Sequence, residues 1–250
     1  GTLGAMVDLQ GVLQLVDLTD PSQPALAGRY EKEGLLFGDA FLAGDLLVLE
    51  ILTDAVALTL LDVSDPQAPR RITALREYGT LAVGEGLLVC RRNTRVILYD
   101  VSDPERPKEA SRPGVRGRVL DAVVADGHLH VLTEIGPGLA TVQSLDVTDP
   151  GDPQPRATVT LPRYATALAV HAHRLYAYGF TWGQILTIAE PAQPQLVSEF
   201  PALGQSGRGL AFNGDVTTVG GWLVTLRDET FAPAAAGRDL PAVADGRLRA

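Results

Sequence analysis

Two aspartates stand at matching positions in repeated apolar segments, and their carboxylates are the side chains best suited to chemistry. Asp39 and Asp121 each precede a short apolar strand, and Thr80 takes the same position in the segment between them. If these strands surround a central channel, the three polar side chains share one face and line the channel mouth. Such a ring could hold a small polar or cationic ligand, or a divalent metal. The alternative is that both carboxylates accept hydrogen bonds from solvent or from neighbouring backbone N–H groups.

Arginines and aromatic residues cluster in the segments that would join one repeat to the next, or the second strand of a repeat to the third. A guanidinium binds carboxylates or phosphates through parallel hydrogen bonds and stacks on aromatic rings, so this mixture suits an anionic or carbohydrate ligand. The alternative is ion pairing within the chain, with partners such as Glu77 and Glu134. Besides Asp39, Thr80 and Asp121, the candidate ligand-binding residues at the channel mouth are Arg76, Tyr78, Arg118, Arg163, Tyr164, Trp182 and Arg208.

The four histidines form two His-x-His pairs, His128/His130 and His171/His173. Residues i and i+2 of a strand share a face, so each pair could chelate a metal ion. Both pairs fall at hairpin turns towards the outside, so we expect surface side chains and keep the pairs only as weak metal candidates. Cys90 is the only cysteine, which excludes an intramolecular disulfide. Two following arginines would favour its thiolate, but no histidine falls near it, and we interpret it as a strand residue.

Composition and missing motifs narrow the functional classes. The net charge of −9 disfavours nucleic acid as a partner, because phosphate binding needs a basic surface. No apolar run approaches the roughly 18 residues that span a bilayer. Residues 1–15 lack the basic start and long apolar stretch of a signal peptide. Neither a glycine-rich phosphate loop nor a Gly-x-Ser-x-Gly elbow occurs, so the sequence names no catalytic residue.

A five-residue motif, Asp-Val-Ser-Asp-Pro, recurs about every 40 residues and positions these candidates. Its Asp and Ser or Thr side chains bond nearby backbone N–H groups, and its Pro cannot continue a central strand. The motif therefore predicts a strand end followed by a turn, and it lacks the dense acidic spacing of a calcium loop. Four copies and a worn fifth begin at Asp17, Asp62, Asp100, Asp146 and Thr187.

Each repeat contains turn signals that separate four short strands. In residues 78–113, apolar strands are predicted at 81–83, 87–90 and 95–99, with a poorer fourth strand at 107–111. Four strands per roughly 40 residues indicate a β-propeller. Six first-strand segments, with a decayed sixth motif near residue 227, predict six blades in a single domain spanning residues 1–250. Residues 241–250 would supply the first strands of the blade that 12–18 and 24–30 complete, leaving no open sheet edge. Residues 1–5 precede the only methionine and could derive from a vector.

The motif and its flanks resemble the LVIVD-repeat family. LTLLDVSDPQAP at residues 58–69 and VILYDVSDPERP at 96–107 are the closest copies, and the pattern covers nearly the whole chain. The sixth repeat departs from it. The resemblance implies a β-propeller, often bacterial and often secreted or at the cell surface. The family has no shared catalytic residues, so the resemblance implies no activity.

The sequence therefore favours a non-catalytic binding or scaffold protein, built as an all-β, six-bladed propeller with four antiparallel strands per blade. We expect it to recognise a protein or polymer through the loop-rich face that carries the arginines and aromatic residues. The alternative is a propeller that binds a small anionic or polar ligand or a divalent metal, with hydrolase or isomerase activity at Asp39 and Asp121. We expect a monomer, and no cofactor in the favoured interpretation.

Overall fold

The chain forms antiparallel β-sheets, and the described residues contain no helix. The computed structural model describes residues 3–7, 10–20, 23–53, 57–77, 79–180, 182–201, 212–213, 216–219, 222–227 and 230–233. Within those ranges no helix is long and apolar enough to cross a membrane. The residues group into two compact units, Gly1–Pro113 (unit 1) and Gly114–Ala250 (unit 2).

Unit 1 contains one three-stranded sheet and two four-stranded sheets in its described part, with strands paired in chain order. The three-stranded sheet consists of β1 Leu3–Val7, β2 Leu13–Asp17 and β3 Ala25–Tyr30. The second sheet consists of β4 Phe37–Ala43, β5 Leu46–Ile51, β6 Ala57–Asp62 and β7 Arg70–Leu75. The third consists of β8 Thr80–Gly84, β9 Leu87–Arg92, β10 Arg95–Asp100 and β11 Lys108–Ser111. The predicted strands of this repeat are therefore confirmed, including the fourth.

Unit 2 contains three four-stranded sheets among its described residues. The first consists of β12 Arg118–Ala125, β13 His128–Gly136, β14 Leu139–Asp146 and β15 Gln154–Thr160. The second consists of β16 Ala167–His171, β17 Arg174–Tyr178, β18 Trp182–Thr187 and β19 Gln195–Pro201. The third consists of β20 Phe212–Asn213, β21 Val216–Val219, β22 Trp222–Arg227 and β23 Thr230–Pro233.

β1 corresponds to the second strand of the other sheets of unit 1. Leu3 lies opposite Asp17, just as Leu46 lies opposite Asp62 in the next sheet. The first sheet therefore has no counterpart of β4 and β8 among the described residues. Residues 241–250, which the sequence predicts to provide this strand, lie outside the described residues.

The Asp-Val-Ser-Asp-Pro motif ends the third strand of its sheet and builds the turn to the fourth. Oδ1 of Asp62 accepts hydrogen bonds from the backbone N of Ser64 (3.0 Å) and from its hydroxyl (2.7 Å). Oδ1 of Asp65 accepts one from the backbone N of Gln67 (3.0 Å). The Ser64 bonds lower the pKa of Asp62, and Arg70 lowers it further through a bond to Oδ2 (3.2 Å). The same bonds to Ser or Thr recur at Asp100 and Asp146, so the predicted turn is confirmed.

Antiparallel pairing gives every four-stranded sheet two different ends. We call the end that carries the first hairpin turn and the motif turn the motif end, and the end where the second strand turns into the third the loop end. At the motif end, Glu85-Gly86 and Asp126-Gly127 have positive φ at both turn residues. Such turns match the twist of paired strands and hold the hairpin tight.

In the four-stranded sheets between β4 and β19, the middle residues of the second and third strands are buried on both faces. In β9, Leu87 to Cys90 are all buried, whereas the fourth strands such as β7 are mostly exposed or half-buried. Neighbouring sheets pack face to face, and Val48, Leu60, Leu88 and Ile97 form part of one such core in unit 1. A comparable core in unit 2 joins the β12–β15 sheet to the β16–β19 sheet.

Shortening a side chain in this core should destabilise the fold strongly. Leu88 is fully buried, so Leu88→Ala should lower the free energy of unfolding by about 2–5 kcal/mol, measured by urea titration. Leu26 is 52% exposed, and Leu26→Ala serves as the control that should change it by less than about 0.5 kcal/mol. Equal losses in the two variants would contradict this description of the core.

Candidate functional site

Asp121, predicted to bind a ligand, hydrogen-bonds to backbone within unit 2. Its Oδ2 accepts a hydrogen bond from the backbone N of Leu168 (2.8 Å) in β16, and its Oδ1 accepts one from the backbone N of Ala122 (3.0 Å). The carboxylate therefore links the first strands of two neighbouring sheets. This arrangement is the backbone-bonded alternative considered from the sequence.

A glutamate makes the corresponding link in unit 1. Oε1 of Glu50, at the loop end of β5, accepts a hydrogen bond from the backbone N of Thr80 (2.8 Å), which begins β8. Thr80 is buried, and its own hydroxyl has no hydrogen-bond partner. Asp39 is exposed in β4 at the position that matches Asp121. The sequence did not indicate Glu50, because its partner lies 30 residues further along the chain.

Two buried glutamines hold the backbone of arginines at the loop end of unit 2. Gln184 is fully buried; its Oε1 accepts from the backbone N of Arg163 (3.2 Å), and its Nε2 donates to the carbonyl of Arg163 (2.9 Å). Gln143 makes the same pair of bonds to Arg116, at 3.0 and 2.7 Å. Neither glutamine was a candidate on sequence grounds. Their signal is position, since each stands three residues before the first residue of a motif copy.

The side chains of Arg163 and Trp182 form a stacked pair beside these backbone bonds. The guanidinium carbon of Arg163 lies 4.2 Å from the Trp182 ring centroid, and its Nε donates to Oε2 of Glu199 (2.8 Å). Trp182 is 37% exposed, and the neighbouring Phe180 is 62% exposed. Cation–π stacking and an ion pair thus fix an arginine against a partly exposed tryptophan ring.

Arg118 and Tyr164 lie at the same end of unit 2. Nε of Arg118 donates to Oε2 of Glu134 (2.8 Å), which raises the pKa of Arg118, and a weaker contribution comes from a bond with Tyr164. Glu134 was the partner expected if the arginines pair within the chain. We call Arg118, Arg163, Tyr164, Phe180 and Trp182 the unit 2 patch.

The remaining arginine and tyrosine candidates differ in how they are placed. Arg76 is exposed in the connection that follows β7. Beside it, Glu77 is buried and pairs with Arg92, and its Oε1 accepts a hydrogen bond from the Tyr99 hydroxyl (2.7 Å). This pairing is again the intrachain alternative. Two further candidates, Tyr78 and Arg208, lie outside the described residues.

The surface expectation is wrong for His130, whose ring is fully buried in β13. Its Nδ1 lies 2.8 Å from the Ser144 hydroxyl, while its Nε2 is buried without a partner. His173 is exposed and bridges to the preceding sheet, with Nδ1 3.1 Å from Oδ2 of Asp126. No group of three His, Cys, Asp or Glu side chains within the described ranges could hold a metal ion. His128 and His171 are half-buried at the motif end.

Cys90 is a buried strand residue, as the sequence suggested. It lies in β9 opposite Ile97, and none of its surface is exposed. Burial raises the pKa of its thiol to about 12, and the nearby charge of Glu50 contributes. The thiol is therefore protonated at neutral pH and is a poor nucleophile.

Comparison with solved structures identifies the class of fold. The chain is similar to the structure of Hsv2 from Kluyveromyces lactis, with a TM-score of 0.61 and 13% identity over 91% of this chain and 72% of that chain. A protein from Lactobacillus plantarum matches with a TM-score of 0.56 and 9% identity over 79% of this chain and 67% of that chain. At such identities the likeness shows the fold alone, and the fold is propeller-like. No protein-family model and no curated protein matches the sequence.

If Asp121 links two sheets, its acceptor oxygens should matter more than its charge. Asp121→Ala would leave the N–H of Leu168 without its acceptor, which should lower the free energy of unfolding by about 1–3 kcal/mol. Asp121→Asn keeps an oxygen at this place and should lose less than half as much. Urea titration of both variants checks this, and equal losses would contradict the role of the oxygen.

Burial of His130 should make unfolding depend on pH. Burial lowers its pKa from 6.5 to about 4. Between pH 6.5 and pH 4 the imidazole is protonated in the unfolded chain but stays neutral in the folded chain. The free energy of unfolding therefore has its full value above pH 6.5 and decreases as the pH falls towards 4. Between pH 7.5 and 4.5 we expect a loss of roughly 2–3 kcal/mol from this group.

The matched variant is His130→Leu combined with Ser144→Ala, which removes both partners of one buried hydrogen bond. Its free energy of unfolding should fall less steeply between pH 7.5 and 4.5 than that of the wild type. Parallel pH profiles would show that His130 does not titrate differently in the two states.

Proposed function

We propose that this protein is a non-catalytic binding module that recognises a protein partner through the unit 2 patch. The Arg163–Trp182 pair carries the proposal, because the backbone of Arg163 is held by Gln184 and its side chain by Trp182 and Glu199. A rigid, partly exposed arginine and tryptophan lose little conformational entropy when a partner covers them. Trp, Tyr and Arg are also the residues that dominate binding energies in protein interfaces.

The residues around this pair extend the proposed contact. Phe180 lies in the connection between β17 and β18, Trp182 begins β18, and Ile135 is 47% exposed at the loop end of β13. Arg118 and Tyr164 add polar groups that can hydrogen-bond at the margin of an interface. Apolar anchors surrounded by arginines are typical of protein-binding surfaces.

The alternative of a small-ligand site with Asp39 and Asp121 has weaker support. The carboxylate of Asp121 already accepts two backbone hydrogen bonds, and one of them joins two sheets. A ligand that took this carboxylate would break a structural contact.

Affinity capture with a matched set of variants tests the proposal. Wild-type protein, Trp182→Ala and Arg163→Ala would be immobilised and exposed to an extract of the source organism, and bound proteins quantified by mass spectrometry. We expect one partner to be retained by the wild type and lost with both variants. With the purified partner, each substitution should weaken binding by about 30-fold in calorimetry, as for an interface hot spot.

Arg156→Ala is the control, because Arg156 is exposed at the motif end of the same unit and pairs with Asp146. It should retain the partner at wild-type affinity. Gln184→Met should bind more weakly than wild type, although Gln184 is buried, because the backbone of Arg163 is released. A partner retained equally by all variants would overturn the proposal.

We also propose that the fold is a six-bladed propeller of the LVIVD-repeat type. The recurrence of the motif turn, with its Asp-to-Ser or Asp-to-Thr bonds, supports this assignment. The register of β1 also supports it, because β1 pairs as a second strand and its sheet has no first strand among the described residues. The sequence pattern of residues 241–250 is that of a first strand and its turn.

A further inference from the structure

Arg116 and Arg163 are held in the same way by the first two sheets of unit 2. Each stands in the connection that leads into the first strand of its sheet, β12 or β16. Each has both of its backbone groups bonded to a buried glutamine, Gln143 or Gln184. Both glutamines stand three residues before the first residue of a motif copy. The two arginines therefore occupy corresponding positions of two repeats.

The side chain of Arg163 is bound within the chain, and the strand register shows which residues bind it. Glu199 lies opposite Gln184 in β19 and accepts a hydrogen bond from Nε of Arg163 (2.8 Å). Trp182, two residues before Gln184 on the same strand, stacks on the guanidinium. An ion pair and a ring contact thus hold this arginine against its own sheet.

The corresponding places around Arg116 carry threonines. Thr158 lies opposite Gln143 in β15, where the next sheet has the glutamate. Thr141 stands two residues before Gln143, where the next sheet has the tryptophan. Thr141 is buried, and its hydroxyl lies 2.9 Å from that of Thr133, whereas Thr158 is exposed. Neither place offers the carboxylate or the aromatic ring that holds the other arginine.

Arg116 is exposed, and no carboxylate of the described residues pairs with its guanidinium. The two glutamates at this end of the same unit already have partners within the described ranges. Glu134 pairs with Arg118. Glu199 pairs with Arg163. Arg116 therefore has a fixed backbone and presents a fork of N–H donors to a ligand.

Apolar surface lies directly beside this arginine. Gly117, the next residue, has a φ of +96°, and a Cβ atom placed on it would lie 2.5 Å from the carbonyl oxygen of Glu134 and 3.0 Å from Cγ2 of Ile135. The segment that carries Arg116 therefore runs against the end of β13. Ile135 is 47% exposed, and Leu139, across the β13–β14 turn, is 41% exposed. An occupant of this place meets a guanidinium and two accessible aliphatic side chains.

We propose that Arg116 binds a carboxylate in an acidic segment of the partner protein, whose neighbouring apolar side chain covers Ile135 and Leu139. This inference rests on the function proposed above and names the chemistry of the partner. Arg116 precedes Arg118 of the unit 2 patch by two residues, so one partner can cover both. A guanidinium binds a carboxylate through two parallel hydrogen bonds. Because the net charge of −9 repels an acidic ligand, its binding requires a local site and not the overall field of the protein.

The probe is a short fluorescein-labelled peptide of alternating glutamate and leucine, titrated by fluorescence anisotropy beside the same peptide with glutamine in place of glutamate. The glutamate peptide should bind the wild type about tenfold more tightly than the glutamine peptide. Arg116→Gln should remove this difference, because it leaves the backbone bonds to Gln143 in place and removes only the guanidinium. Arg116→Lys should restore only part of the difference, since an ammonium lacks the fork. Failure of the wild type to bind the glutamate peptide at about 1 mM would overturn the proposal.

Thr158→Glu tests the comparison between the two sheets. It places a carboxylate where β19 has Glu199, so Arg116 should pair within the chain and the affinity for the glutamate peptide should fall about tenfold. Thr158→Gln has the same size without the charge and should change the affinity by less than about threefold. Gln195→Glu adds the same charge at the exposed motif end of β19 and should change it by less than about twofold. Equal losses with Thr158→Glu and Gln195→Glu would show general repulsion and would overturn the site.

The captured partner separates this inference from the proposed function. A partner that Trp182→Ala binds more weakly but Arg116→Gln binds normally would overturn the acidic contact and leave the proposed function in place. A partner that wild type and Trp182→Ala bind equally would overturn the proposed function. In that case the peptide titration still decides whether Arg116 binds a carboxylate. Thermal midpoints equal to that of the wild type check that the variants fold.

Discussion

Burial of the second and third strands on both faces, as in the four-stranded sheets between β4 and β19, is the constraint on which the rest of this structure depends. Strands covered on both sides have no free surface for chemistry, because each face packs against a neighbouring sheet in one of the core clusters. Polar residues must then lie at the two ends of the sheets or find partners inside. The loop end carries arginines, aromatic residues and their supports, whereas the motif end carries turns built from carboxylates and hydroxyls.

Asp121, which suggested chemistry in the sequence, instead satisfies backbone groups, and so do three polar residues that the sequence did not indicate. Asp121 and Glu50 each accept a hydrogen bond from the first strand of the next sheet, and Gln143 and Gln184 each bind both backbone groups of an arginine. A buried N–H without a partner costs free energy, so these side chains are required where strands of different sheets meet. Their value to function is indirect, because they fix the loops from which exposed side chains project.

The repeat could be predicted because its information is local. The bonds of the motif turn join residues two apart, so the pattern of Asp, Ser and Pro is visible within five residues. The partner of Asp121 lies 47 residues away, and no local pattern indicates it. His130 was placed wrongly because hairpin position alone does not show which alternate residue of β13 points into the core. The glutamines were missed because amides at strand positions have no chemistry of their own, although their matching places in two repeats were visible.

The motif aspartates and the other acidic residues of the motif end have separate tasks. Oδ1 of Asp62 accepts two bonds from Ser64 and its Oδ2 accepts one from Arg70, so this carboxylate has little left to offer a ligand. Further acidic side chains come from the first hairpin turns and from the residue after the motif proline, such as Glu85 and Glu105. Those positions differ between repeats, and in unit 2 the turn supplies its own imidazole opposite Asp126. The same turn chemistry can therefore recur in each repeat while the charge of the motif end differs, because the residues that build the motif turn are not those of the first hairpin turn.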